Sequence, residues 1–178
     1  YGGYLSMNTA LAHSVNTVSV QVLFDAGIDN VVKTAEQLGI KNKLAKVPSI
    51  VLGTSDVSLY EMVQAYSNIT NNDHQIELIG IERIENKQGE IIFERELKDP
   101  LETPKFDTSS ISSLKAMMTK VTREGTASRL YSLFDIPFPV FGKTGTTQKQ
   151  SDGWFIGCTD DLVIGSWVGT KDRRIHFR

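Results

Sequence analysis

The stretch Phe141-Gly142-Lys143-Thr144-Gly145-Thr146-Thr147, followed after a polar turn by Asp152-Gly153-Trp154-Phe155-Ile156-Gly157, sets the tightest limit on what this chain can fold into. Glycines inside an otherwise strand-prone run mark a close approach of another backbone or a ligand. The pattern predicts one strand with a second returning beside it. A lysine, small residues and hydroxyls on such a strand suit an anion-binding groove: Lys143 supplies charge, Thr144, Thr146 and Thr147 supply hydroxyl donors, and Gly145 leaves room for a ligand backbone.

Length and charge narrow the partners. The 178 residues are 40% hydrophobic and 22% charged, enough for one sizeable core, and 19 basic against 21 acidic residues give a net charge of -2. No basic patch points to nucleic acid, and the apolar runs, such as Leu162 to Ile164, are far too short to cross a membrane. Cys158 is the single cysteine and reads as a packed thiol. His13, His74 and His176 share no metal-ligand spacing, so neither a metal nor a cofactor is expected.

Taken in order, residues 6–27 carry helical periodicity with Ser6 as N-cap. Ser14 and Asn16 would point about 200° apart on a continuous helix. They share a site only if the chain breaks there, with Asn16 or Thr17 capping a new helix. A short helix is predicted over Asn30–Leu38, a loop over residues 40–55, and a helix from the Ser58/Glu61 capping box, with Met62, Val63 and Tyr66 on its core face. The period then changes to that of a hairpin over residues 76–97. Pro100 and Pro104 bracket a linker, an amphipathic helix runs from Ser109 or Ser110 to Arg123 and is closed by Gly125, and three antiparallel strands complete an α+β chain. The organisation is therefore a helical lobe (1–75), a hairpin insertion (76–97), a linker with the amphipathic helix (98–136) and sheet strands (137–178).

Gly142-Lys143-Thr144 is not a phosphate loop, because Pro137 stands where the leading glycine is needed and the threonine continues a strand. Ser14-Val15-Asn16 followed far downstream by Lys143-Thr144-Gly145 matches two of three motifs of the serine transpeptidases and β-lactamases. With Ala10 to His13, Leu52-Gly53-Thr54-Ser55, Glu61 to Tyr66, Glu124-Gly125-Thr126-Ala127 and the 141–157 stretch, the chain resembles the transpeptidase domain of class A (bifunctional) penicillin-binding proteins over nearly its whole length.

The resemblance implies a D,D-transpeptidase that cross-links peptidoglycan stem peptides ending in D-Ala-D-Ala through an acyl-serine and is acylated by β-lactams. It assigns catalytic roles to Ser14, Asn16 and Lys143. Substrate binding falls to Thr144, Gly145, Thr146 and Thr147, with Trp154 as a flank of the groove beside its packing role. It places the protein outside the cytoplasmic membrane of a bacterium, with an anchor beyond this stretch. A D,D-carboxypeptidase, a β-lactamase or a non-catalytic carboxylate-binding module are the alternatives.

One motif is missing. The family's Ser-x-x-Lys lies several dozen residues before Ser-x-Asn, and only 13 residues precede Ser14. Ser112-Ser113-Leu114-Lys115 fits the pattern but lies after it and reads as a decoy on the amphipathic helix. The expectation is a partial domain, inactive alone. Leu11, Val18, Met62 and Met118 would be left without a partner, to be covered by another chain or by self-association through swapping.

Overall fold

The computed structural model describes residues 3–71, 76–96, 106–147, 151–170, 172 and 174–176; the expected linker at Pro100 and Pro104 and His74 lie outside them. Ser6 accepts a hydrogen bond from the Thr9 amide and starts α1 (Met7–Ala12), and α2 (Asn16–Ala26) and α3 (Ile28–Gln37) follow. The expected loop over 40–55 contains a 3-10 turn, Pro48–Leu52, for which proline at the first position is pre-organised. The capping box forms as read: Ser58 accepts from the Glu61 amide, the Glu61 carboxylate returns to the Ser58 amide, and α4 (Leu59–Thr70) begins.

Strands β1 (Arg83–Glu85) and β2 (Ile91–Glu94) pair as the hairpin, with Ile84 opposite Phe93, and all seven residues are exposed. Helix α5 (Thr108–Arg123) is capped by Asp107, whose carboxylate accepts from the Ser109 and Ser110 amides, and a single turn, α6 (Arg129–Ser132), follows. Strands β3 (Phe141–Thr146), β4 (Asp152–Cys158) and β5 (Val163–Gly169) form an antiparallel sheet in that order, so β3 is an edge among the described residues.

The α5 stripe explains the architecture. Ile111, Met118 and Val121 recur at helical spacing and are at most 5% exposed, and burying each contributes roughly 1.5–3 kcal/mol. That face lies on the β3 side of the sheet, where α5 and Ile69 of α4 meet Phe141, Ile156 and Cys158. Cys158 is the packed thiol expected, and burial pushes its pKa up to about 11. A second cluster, Val32, Ile40, Leu44 and Ala65, joins α3 and its following loop to α4.

One sequence expectation needs correction and another an addition. Met118 is buried, and Leu11 and Met62 pack partly buried against the core, so these three are not left unpartnered, while Val18 is half-buried and belongs to neither core cluster. Exposed apolar side chains lie elsewhere, at Phe24, Phe134, Ile164 and Val168. Met62, Val63 and Tyr66 of α4 pack against the core as expected, but the helix also buries the polar Glu61, Gln64, Ser67, Asn68 and Thr70 beside Ala65 and Ile69.

Candidate active site

The site forms where α1 ends. Helix α1 stops after six residues because Ser14 turns into the left-handed region, φ 51°, while the Ser14 amide donates to Leu11 O (3.2 Å) and the Val15 amide to Ala10 O (2.9 Å). A side chain pays for that conformation with about 1–2 kcal/mol of steric strain. The chain breaks between Ser14 and Asn16 as expected, but with a one-residue correction: extended Val15 holds the N-cap position, and Asn16 is the first residue of α2. Asn16 is exposed and its side chain makes no hydrogen bond among the described residues.

The turn aims the Ser14 hydroxyl at β3. Lys143 Nζ donates to Ser14 Oγ, across 129 residues of sequence, and to the Thr144 carbonyl at 2.8 Å. Strand alternation puts Lys143 on the side of β3 that carries buried Phe141, next to the helices. Burial there pushes the Lys143 pKa below the ordinary lysine value. A lysine so placed holds its proton less tightly than one in water and has a hydroxyl already in hydrogen-bond contact, which is the minimum arrangement for passing a proton between nitrogen and oxygen.

Thr144 and Thr146 alternate to the other side of the pleat, along the open rim of the edge strand. The Thr144 hydroxyl is 2.6 Å from that of Thr126. Thr147 serves the turn: its hydroxyl lies 2.8 Å from Ser151 Oγ and accepts from the Asp152 amide at 3.0 Å. Gly145 has a reason the sequence did not disclose. A Cβ there would sit 3.2 Å from Trp154 Cβ on β4, so the glycine accommodates Trp154, whose ring lies 6.3 Å from that of Trp167 on β5.

The structure thus brings Ser14, Lys143 and Thr144 together, keeps Thr146 and Trp154 on the same sheet, and leaves Asn16 facing solvent on the adjoining helix. Thr126 is a neighbour of the site to which the sequence reading assigns no role, although its Glu124–Ala127 segment is one of those that carry the resemblance. Ser112 is exposed, and the Lys115 ammonium donates to the Thr70 carbonyl at 2.8 Å and lies 5.8 Å from the Phe141 ring centroid, as a surface position on a packed helix should. No group of three or more His, Cys, Asp or Glu among the described residues has the arrangement of a metal site.

A helical lobe thus packs against an antiparallel sheet, and a serine from a helix-breaking turn is hydrogen-bonded to an edge-strand lysine. The family model for the penicillin-binding protein transpeptidase domain matches residues 1–169, and the chain belongs to that family. Penicillin-binding protein 1A of Rickettsia conorii is 30% identical over 184 residues, covering 94% of this chain and 23% of its own length. Penicillin-binding protein 1A of Aquifex aeolicus is 34% identical over 168 residues, with 94% and 22% covered. The chain therefore spans under a quarter of these relatives. The crystal structure of penicillin-binding protein 1A from Haemophilus influenzae superposes with a TM-score of 0.83 at 22% identity, over 99% of this chain and 31% of that one. A penicillin-binding protein of Mycobacterium tuberculosis gives 0.82 at 22% identity, over 99% and 50%. Both show the fold that the sequence predicted.

Proposed function

We propose that the chain forms one side of the cleft of a D,D-transpeptidase that cross-links peptidoglycan stem peptides and is acylated by β-lactams. The hydrogen bond from Lys143 to Ser14 carries the reading, because it joins the two recognisable motifs across 129 residues. In this reading Ser14 relays a proton between the amine of the substrate and a lysine base, Asn16 holds the substrate's peptide carbonyl, and Lys143 draws the terminal D-Ala carboxylate while easing deprotonation of Ser14. The Thr144 and Thr146 hydroxyls bind the same carboxylate, the Thr146 amide completes an oxyanion hole, and the peptide lies along the open edge of β3 as an added strand. Trp154 flanks the groove.

The acylated serine is not among these residues, since no Ser-x-x-Lys precedes Ser14, and we infer that it comes from another segment or chain. Alone, the 178 residues bind without reacting. No helix among the described residues is long and apolar enough to cross a membrane, and an extracytoplasmic location follows from the proposed substrate.

Two measurements test this. Incubation with a fluorescent penicillin followed by a denaturing gel should give no band; a stoichiometric covalent band on this chain overturns the inference that it lacks the nucleophile. Titration with an acyl-D-Ala-D-Ala peptide should give saturable binding that Lys143→Ala abolishes. Equal binding by that variant removes Lys143 from the carboxylate site and with it the proposed cleft.

A further inference from the structure

The separation of the two walls of the cleft must be set by something, since Ser14 and Lys143 lie on elements that share no strand pairing. Helix α1 leaves its last carbonyls without intrahelical donors. One of them, Ala12 O, accepts from the Thr126 amide at 3.0 Å, two residues before Ser14. Thr126 then reaches the other wall, with its hydroxyl 2.6 Å from that of Thr144, the residue after Lys143. The residue before it makes that double contact possible. A Cβ on Gly125 would lie 2.1 Å from Ala12 O and 2.8 Å from Ala12 C, both backbone atoms that cannot step aside without moving the end of α1.

Gly125 therefore does not close α5 by adopting a left-handed conformation. Its φ is not positive, and Glu124 is the C-cap of α5. Its absent side chain lets the turn after α5 lie directly on the backbone of α1. The Thr126 side chain is exposed, so its hydrogen bond to Thr144 serves no buried core.

We propose that Gly125 and Thr126 are positioning residues of the cleft, a clasp that holds the Ser14 turn at hydrogen-bond distance from Lys143 and orients the Thr144 hydroxyl for the ligand carboxylate. This rests on the functional reading above for the ligand and on geometry alone for the clasp. Replacing Gly125 pushes α1 away and opens the Ser14–Lys143 contact. Replacing Thr126 by a residue of the same shape without the hydroxyl leaves the backbone bond to Ala12 and removes the hold on Thr144.

The test uses the full 178-residue chain, with the Ser14 amide resonance, the titration of the Lys143 side-chain carbons and the affinity for acyl-D-Ala-D-Ala peptide as readouts. Gly125→Ala should shift the Ser14 resonance and move the Lys143 midpoint up toward that of a solvated lysine. Thr126→Val, at an exposed position, covers the case in which Gly125→Ala fails to fold. It should weaken peptide binding about fivefold to tenfold, the loss expected for one oriented hydrogen bond, and shift the Lys143 resonances, while Thr126→Ser restores both. The clasp is overturned if a folded Gly125→Ala or Thr126→Val leaves all three readouts as in the parent chain, or if Thr126→Ser behaves like Thr126→Val. Peptide affinity that Lys143→Ala does not change defeats the functional reading instead, and the clasp is then decided by the Ser14 and Lys143 resonances.

Discussion

The seam along α4 and the cleft between α1 and β3 are both polar, and they use polarity in opposite ways. In the seam, the buried Glu61 carboxylate accepts from the Lys41, Asn42 and Ser58 amides, from Asn42 Nδ2 and from Ser58 Oγ, all between 2.7 and 2.9 Å. Gln64 and Asn68 complete it, with Gln64 accepting from the Leu78 amide, Asn68 accepting from the Ile76 amide, and Asn68 donating to the Leu38 carbonyl. Glu61, Gln64 and Asn68 are each answered by protein, and Thr70 Oγ1 is the one buried side-chain polar atom of α4 without a partner among the described residues. In the cleft, Ser14 sits in a costly backbone conformation, Lys143 keeps a charge where burial opposes it, and Asn16 faces solvent. The Glu61–Gln64–Asn68 seam is paired within the protein, whereas on the proposed reading the cleft leaves groups for a ligand to complete. Unmet polar capacity beside strain is what separates a site from a scaffold.

The largest way to break that contrast is Glu61→Ala. It strands the Lys41 and Asn42 amides and removes half the capping box, and should cost about 3 kcal/mol in urea-induced unfolding while the Lys143 titration stays where it is. The same carboxylate gives an acid signature. Hydrogen bonds, first from the Ser58 backbone, hold the Glu61 pKa down at about 2 against an ordinary 4.5. A lowered folded pKa means that the stabilisation is present above pH 4.5 and is lost as the pH falls toward 2. Asp107, held at about 2 by Ser110 and Ser109, loses stability in the same range, so the informative quantity is the parent curve minus that of Glu61→Gln. A flat difference between pH 4.5 and 2 would mean that the seam is not held by this carboxylate.

How much of this was legible depends on which force placed each residue. The three strands, the α5 stripe and the capping box were readable because periodicity and local hydrogen bonding decide them. The Ser14 and Lys143 motifs were readable from the resemblance. Val15 rather than Asn16 at the cap was not, because the left-handed turn at Ser14 shifts the register by one residue. The buried polar side of α4 was hidden because Gln64 and Asn68 ordinarily face water, and only the loop at Leu38 and the segment at Ile76 and Leu78, far apart in sequence, make their burial tolerable. Gly125 and Gly145 are each explained by one neighbour from another element, Ala12 and Trp154, which no local pattern contains.

A smaller effect separates strain from hydrogen bonding at Ser14. Ser14→Ala and Ser14→Gly both delete the hydroxyl that Lys143 contacts, so that loss cancels between them. What remains is the backbone, and at φ 51° glycine avoids the clash that alanine keeps. The glycine variant should be the more stable of the two by about 1 kcal/mol. Equal stability would place the turn outside the strained region and weaken the contrast with the seam.

The smallest change in stability should come from Lys143→Met, although its effect on function should be complete. The substitution removes two hydrogen bonds, to Ser14 Oγ and the Thr144 carbonyl, and with them a charge that burial disfavours. These oppose each other, so the variant should lie within about 1 kcal/mol of the parent at neutral pH, in contrast to the loss at Glu61. The pH dependence fixes the sign. Because the folded pKa lies below the ordinary 10.5, the unfolded chain binds more protons across the window that ends there, and the lysine's contribution to stability rises with pH through it. The buried Cys158 thiol acts the other way, its pKa raised from 9.0 to about 11, but it is common to both chains and drops out of the difference. The methionine variant should therefore be at its best relative to the parent at neutral pH and lose ground as the pH climbs toward 10.5, while binding no peptide at any pH. A loss of several kcal/mol at neutral pH would instead make Lys143 a scaffold residue of the same kind as Glu61, and the cleft would no longer differ from the seam.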